Sequence, residues 1–137
     1  MTCPFCLTQT QPFGYIIFQG ETAYILTNPD PVLTNSLMII PLRHVETPFD
    51  LNGEEWLELL ILLSKAKAHL DKSDAQGYSI GWNVGEVAGQ SVKHLHLHVI
   101  GRFADEPLAG KGIRHHLKQI ENQRSKIENQ NAKIKGR

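Results

Sequence analysis

The chain has 137 residues, of which 41% are hydrophobic and 20% charged, and this composition is typical of one ordinary folded domain. Basic and acidic residues number 14 each, so the net charge is zero, which argues against a general nucleic-acid-binding protein. The sequence lacks an apolar run of the ~18 residues that a membrane-spanning helix needs, and its start does not resemble a signal peptide. Two cysteines are too few for a disulfide scaffold, so a cytoplasmic location is expected.

The first motif along the chain is Cys3-Pro4-Phe5-Cys6, a C-x-x-C pair. Such a pair can be a thioredoxin-like redox site, half of a zinc site, or two ordinary buried thiols. A redox pair would follow a strand and open a helix, which this position does not suggest. A zinc site would need two further ligands from elsewhere in the sequence.

Stretches rich in β-forming residues, separated by turn residues, predict five strands. The predicted strands cover residues 14–18, 22–27, 37–40, 78–84 and 92–101. A helix is predicted to begin near Asn52, because Asn52 is a good N-cap and Glu55 completes a capping-box pattern. It should end near Leu70 or Asp71. Short links between strands favour antiparallel pairing, so the predicted class is α+β.

The last part of the chain is polar, basic and helix-prone. Isoleucines recur every seven residues from Ile113 to Ile134, which predicts a helix packed over part of its length. Residues 111–137 hold eight basic and two acidic side chains, a net charge of +6, so the remainder carries −6. We therefore divide the chain into a main domain, residues 1–112, and a basic helical extension, residues 113–137. The extension either contacts phosphate or the main domain, or is a solvated helix face.

Three histidines alternate with apolar residues in the stretch from Gln90 to Ile100. On a strand, His94, His96 and His98 would share one face, while the intervening apolar residues anchor the other face to a core. Imidazole is a good nucleophile at neutral pH and can attack a phosphate to form a covalent intermediate. Its second ring nitrogen should then donate a hydrogen bond to a fixed acceptor.

The sequence Gly-Gln-Ser-Val-Lys, followed by three alternating histidines, resembles the signature of the histidine triad (HIT) family of nucleotide hydrolases and transferases. The likeness covers roughly residues 4–103. It implies a dimeric, antiparallel five-stranded sheet and a purine nucleotide substrate, with no catalytic metal. Either of two activities is expected, since the Fhit-like branch cleaves dinucleoside polyphosphates and the Hint-like branch cleaves nucleoside phosphoramidates. The stretches Pro41-Leu42-Arg43 and Gln90-Ser91-Val92-Lys93 resemble the Fhit-like branch.

The resemblance also assigns roles to residues of the site. The middle histidine, His96, matches the family's nucleophile, and His98 matches the residue that contacts the phosphate and leaving group. Gln90 and Ser91 match phosphate-binding positions. Asn28 falls where the ribose hydroxyls are held, and Asn83 falls where an amide reaches the phosphate or leaving group.

A structural zinc is the last expectation from this resemblance. Some bacterial HIT proteins hold zinc through an N-terminal C-x-x-C and two histidines, and the matching positions here are Cys3, Cys6, His44 and His94. Two thiolates and two imidazoles make a closed tetrahedral site. In that case His94 does not take part in the chemistry. In the alternative, the cysteines are reduced thiols and His94 serves the triad through hydrogen bonds.

Two other functions compete with hydrolysis through His96. One is a nucleotide-binding regulatory or interaction module with little turnover. The other is a metalloenzyme with all three histidines as ligands, although a cupin-like site would want a Glu a few residues later, which positions 100–103 lack. The predicted helix is more apolar than one sheet face requires, so a homodimer is expected.

Overall fold

The computed structural model of the protein describes residues 3–7, 14–28 and 30–115. The chain divides after Pro107 into two units, and only residues 108–115 of the second unit are described. Most of the predicted helical extension, from residue 116 onward, therefore lies outside the described residues and stays a prediction. Within the described ranges, no helix has the length and apolar character needed to cross a membrane.

The first unit is a five-stranded antiparallel sheet with one long helix, which confirms the predicted α+β class. The strands are β1 (Ile16–Gln19), β2 (Ala23–Thr27), β3 (Ser36–Pro41), β4 (Gly77–Gly81) and β5 (Leu97–Arg102), and the helix is α1 (Gly53–Asp71). The strands lie in the order β1-β2-β3-β5-β4. The central pair matters most for the site, because it sets Met38 of β3 opposite His98 of β5.

Helix α1 begins where local chemistry predicts. The backbone N–H of Glu55 donates to the side chain of Asn52, and the N–H of Asn52 donates to the Glu55 carboxylate, both at 2.9 Å. These two bonds satisfy amides that would otherwise lack partners in the first turn. The predicted capping box and the predicted end near Asp71 are both confirmed.

The sheet is covered on both faces. Alternate side chains of β2, β3 and β5 pack beneath Leu62, Ala66 and Leu70 of α1. Since neighbouring strand residues point to opposite faces, the other set lies on the far side, where Phe5 covers it. That far-side cluster comprises Phe5, Tyr24, Leu26, Met38 and Ile40. The N-terminal segment is therefore part of the core, on the face away from the helix.

The histidine-bearing strand is shorter than predicted. We expected a strand over residues 92–101, but β5 begins at Leu97, so His94 and His96 precede it. The reason is that two main-chain groups of this stretch bond to partners outside the sheet. The Leu95 N–H donates to the Val45 carbonyl at 2.7 Å, and the His94 carbonyl accepts from the His96 ring at 2.8 Å. Likewise β4 ends at Gly81 rather than at residue 84.

Candidate active site and metal centre

The fold brings together the four predicted zinc ligands. One donor atom from each of Cys3, Cys6, His44 and His94 lies within 4.8 Å of all the others. The Cys6 sulfur lies 3.2 Å from Nδ1 of His44 and 3.5 Å from Nδ1 of His94. The Cys3 sulfur lies 3.4 Å from the same His94 nitrogen, and the two imidazole nitrogens are 3.2 Å apart. The fold thus brings together sulfur and imidazole nitrogen atoms of residues that are up to 91 positions apart in the sequence.

These separations fit a tetrahedral zinc ion. Zn–S bonds of about 2.3 Å and Zn–N bonds of about 2.0–2.1 Å place neighbouring donor atoms roughly 3.3–3.8 Å apart. The orientation of His94 also fits, because its Nε2 lies 2.7 Å from the Pro41 carbonyl and donates to it. That bond leaves the lone pair of Nδ1 for a metal, as in other sites where a carbonyl orients a ligating imidazole.

The pKa shifts within the cluster also fit a bound zinc ion. Burial, followed by the hydrogen bond and charge of Cys3, raises the pKa of the Cys6 thiol. Two thiolates this close repel each other unless a cation lies between them, and a bound divalent ion reverses such a shift. Burial also lowers the pKa of His94 and favours the neutral imidazole that a metal requires.

The turn that carries both cysteines is anchored by Tyr24. This tyrosine is fully buried in β2, and its hydroxyl donates to the Phe5 carbonyl at 2.6 Å. Burial, followed by the charges of Cys3 and Cys6, raises the Tyr24 pKa, so the hydroxyl keeps its proton and stays a donor. Sequence reasoning missed this residue, because Tyr24 reads as one more strand aromatic until the N-terminal segment is seen to pack on it.

His96 is held in the orientation that a nucleophile needs. Its Nδ1 donates to the His94 carbonyl at 2.8 Å, so the Nε2 lone pair is available. The ring is 7% exposed and rests against Phe5, with ring centroids 5.0 Å apart. The expected fixed acceptor is therefore a backbone carbonyl, and it belongs to a predicted zinc ligand.

His98 differs from its two neighbours. Its ring lies 5.0 Å from that of His96, at an angle of 77°. Burial, followed by the charge of His96, lowers the His98 pKa, so the ring is neutral near pH 7. Among the described residues no side chain or carbonyl hydrogen-bonds it, which leaves its nitrogens for a ligand.

The predicted phosphate loop runs from Gly85 to Ser91. Gly85 and Gly89 have φ of 89° and 98°, values that favour glycine, and a short 3-10 turn, Glu86–Ala88, lies between them. The Gln90 side chain, only 7% exposed, accepts from the Gly85 N–H at 2.8 Å and donates to the Glu46 carbonyl at 3.0 Å. Its predicted contact with phosphate stays a prediction, because the structure shows the amide engaged with backbone.

The other predicted substrate-binding residues lie around this loop or on the same face of the sheet. Ser91 is exposed, and the amide of Asn83 would lie 3.8 Å from a Cβ placed on Gly89. Asn28 follows β2 two positions after Leu26, so strand alternation places it on the face that carries Leu26 and Met38. Within the described part of the chain, its side-chain amide makes no hydrogen bond.

The three histidines do not converge on one point. Nδ1 of His94 turns to the cysteines, whereas Nδ1 of His96 turns to a carbonyl. In the described ranges, the metal-binding cluster includes neither His96 nor His98. The geometry thus favours one nucleophile with two differently employed neighbours over a three-histidine metal site.

A five-stranded antiparallel sheet, with three alternating histidines that lead into its strand β5, is the architecture expected of a histidine triad protein. A family model described as the HIT domain matches residues 10–105, and the chain belongs to this family. It is 33% identical over 95 residues to a Mycobacterium tuberculosis protein named AP-4-A phosphorylase, covering 68% of this chain and 49% of that protein. It is 29% identical over 100 residues to the Dictyostelium discoideum bis(5'-adenosyl)-triphosphatase, covering 72% of this chain and 64% of that one.

Among solved structures, the Caenorhabditis elegans NitFhit protein superposes with a TM-score of 0.66 at 28% identity. The match covers 74% of this chain and 25% of that one. The chain therefore spans about half the length of the mycobacterial relative and a quarter of NitFhit.

Proposed function

We propose that this protein cleaves dinucleoside polyphosphates at the α-phosphate through a nucleotidyl intermediate on His96. The observation that carries the proposal is the bond from His96 Nδ1 to the His94 carbonyl, because it directs the Nε2 lone pair outward. The names of two relatives, AP-4-A phosphorylase and bis(5'-adenosyl)-triphosphatase, support this substrate class over nucleoside phosphoramidates.

The reaction has two displacements. Nε2 of His96 attacks the α-phosphorus, an N–P bond forms, and the bond from that phosphorus to the bridging oxygen breaks as the rest of the substrate, a nucleoside polyphosphate, leaves. Water then attacks the same phosphorus, the N–P bond breaks, and the nucleoside monophosphate departs with His96 restored.

The chain's own residues stabilise the charge that develops in these steps. A neutral His98 has one N–H to donate to a phosphoryl or leaving-group oxygen, and Ser91 and Asn83 add donors near the loop. Asn28 lies on the same sheet face, where its amide can hold ribose hydroxyls. Gly85 and Gly89 let the main chain approach the phosphate closely.

Zinc bound by Cys3, Cys6, His44 and His94 has a structural role in this proposal. When bound, it neutralises the paired thiolates and joins the N-terminal turn to the triad segment. The four donors close its coordination shell, so it leaves no open position for substrate. His94 then serves the chemistry only through its carbonyl.

We also propose a homodimer formed through the outer face of α1. Leu57, Leu60 and Ile61 are 64%, 65% and 51% exposed, and Trp56 beside them is 42% exposed. Contiguous apolar side chains of this kind typically mark an interface.

The test of the chemistry compares wild type with His96→Ala on diadenosine triphosphate, diadenosine tetraphosphate and an adenosine phosphoramidate. His96→Ala should lose at least about 10³-fold in rate, as expected when a nucleophile is removed. His69→Ala, a histidine on α1 away from the triad, is the matched control and should keep full activity. Equal rates for wild type and His96→Ala would overturn the proposal. Tight nucleotide binding by wild type without product would favour a binding module instead.

A further inference from the structure

Gln90 lies at a junction between two functional segments. Its amide oxygen accepts from Gly85 at the start of the phosphate loop, and its amide nitrogen donates to the carbonyl of Glu46. The main-chain N–H of Gln90 also donates to the Gly85 carbonyl at 3.1 Å, which closes the loop on itself. One buried side chain therefore fixes the loop internally and ties it to residues outside it.

The segment on the other side of this junction belongs to the metal centre. Glu46 is two residues from His44, whose Nδ1 faces Cys6 and His94 at 3.2 Å each. Val45 between them is 6% exposed, and its carbonyl accepts from Leu95 in the triad segment. Residues 44–46 are thus held at three successive positions, by the ligand cluster, by the triad segment and by Gln90.

We propose that Gln90 is a positioning residue that couples the metal centre to the phosphate loop. The ligand cluster holds residues 44–46 in place and thereby fixes the Glu46 carbonyl. Because the Gln90 side chain bonds both to this carbonyl and to the Gly85 N–H, it also restrains the phosphate loop that begins at Gly85. The coupling is reciprocal, because a loop held in place must strengthen metal binding by the same factor. This inference rests on the proposed function for its importance, since the loop is the proposed phosphate site.

An effect of Gln90 on zinc affinity would distinguish this coupling from ordinary packing of the loop. Gln90 is outside the cluster of predicted metal ligands, and its side-chain bonds to Gly85 and Glu46 do not reach one. A purely local role would destabilise the loop and leave zinc affinity unchanged. Coupling between two sites typically changes an affinity by about 5- to 150-fold, and we expect an effect of about tenfold here.

The experiment uses the full chain and compares Gln90→Met, which keeps length but lacks both polar groups, with wild type. Zinc dissociation constants are measured by competition with a chromophoric chelator, without nucleotide. The matched control is Gln76→Met, since Gln76 also fixes a loop by accepting from the Ala104 N–H at 2.8 Å. Gln90→Met should bind zinc about tenfold more weakly, whereas Gln76→Met should match wild type.

A second measurement needs no variant. Amide hydrogen exchange is followed in wild type with zinc and after its removal. The Gly85 amide, which bonds to Gln90, should exchange about tenfold faster after zinc removal by the same linkage, while Ala104 stays unchanged. If hydrogen exchange becomes faster at both Gly85 and Ala104, zinc removal has opened the whole domain. The zinc dissociation constants of the Gln90 variants then test the coupling.

Gln90→Glu covers the case in which Gln90→Met does not fold. It keeps the acceptor for Gly85 and loses the donor to Glu46, so it too should weaken zinc binding. Zinc affinity equal to wild type in the folded Gln90 variants, or a wild type that binds no zinc, overturns the coupling. Neither result bears on His96, and an inactive enzyme with coupled zinc binding would overturn only the proposed function.

Discussion

His94 and His96 have separate tasks linked by one hydrogen bond. The side chain of His94 joins the thiol cluster, while its carbonyl accepts from His96 Nδ1 at 2.8 Å. A substitution at His94 therefore removes a proposed metal ligand but keeps the carbonyl that orients the proposed nucleophile. A substitution at His96 removes the nucleophile and keeps the ligand set. The two variants should separate zinc binding from the chemical step.

The buried state of His98 predicts a pH-dependent stability. Its folded pKa is lowered by burial, and its unfolded pKa is about 6.5. Near pH 7.5 both states are neutral, and His98 contributes nothing to the pH dependence. Below about pH 6.5 the unfolded state binds a proton that the folded state takes up only at lower pH, so the free energy of unfolding falls by up to about 1.4 kcal/mol per pH unit.

Urea unfolding at pH 7.5 and pH 5.5, with saturating zinc, measures this effect. His98→Gln should lose less stability between the two pH values than wild type, by up to about 1.4 kcal/mol. His69→Gln, which removes a histidine of α1 whose ring makes no hydrogen bond within the described ranges, is the control and should lose as much as wild type. Identical losses in wild type and His98→Gln would show that burial of His98 does not shift its titration.

For helices and strands, the sequence predicts a boundary when the residues that form it lie close together in the chain. The start of α1 depends on Asn52 and Glu55, three positions apart, and the sequence displays both. The start of β5 depends on Val45, about fifty residues before Leu95, and no local pattern reveals that bond. The predicted strand is therefore too long at its beginning, whereas within β5 Leu97 and Val99 pack on the helix side, as alternation predicts.

The site shows the same division. The residue types and spacing of the triad and of the C-x-x-C indicate a histidine nucleophile and half of a zinc site. The resemblance to the HIT family is what assigns the nucleophile to His96 and adds His44 and His94 as expected ligands. The anchoring of the cysteine turn by Tyr24, and the clamp made by Gln90, depend on tertiary contacts. The sequence predicts Gln90 only as a phosphate ligand, because its bonds to Gly85 and Glu46 depend on the fold.

The Tyr24 anchor gives a prediction about the N-terminal turn. Tyr24→Phe removes the hydroxyl that donates to the Phe5 carbonyl at 2.6 Å, and with it a buried hydrogen bond between β2 and the cysteine turn. The cysteine turn should loosen, and zinc affinity should fall by about tenfold. Chelator competition checks this, with Tyr78→Phe as the control, because the Tyr78 hydroxyl bonds to the exposed Asp71 instead. Equal zinc affinity in Tyr24→Phe and wild type would contradict the anchoring role.

At the scale of the whole molecule, the outer face of α1 predicts assembly. Leu60→Glu places a charge in the exposed apolar patch and should convert a dimer to a monomer in sedimentation velocity at micromolar concentration. Ser73→Glu, at an exposed position beyond the end of α1 and away from Leu60, is the control and should remain dimeric. A monomeric wild type would remove the dimer proposal.

The central claim is that His96 forms a covalent bond with the nucleotide, and rapid quench with intact-mass analysis tests it most directly. Wild type mixed with excess diadenosine triphosphate and quenched during turnover should gain the mass of one adenylyl group, located on His96 by peptide mapping. His96→Ala should show no such gain, and His69→Ala should match wild type. Turnover by wild type with no adduct at any quench time, or an adduct on another residue, would contradict the account.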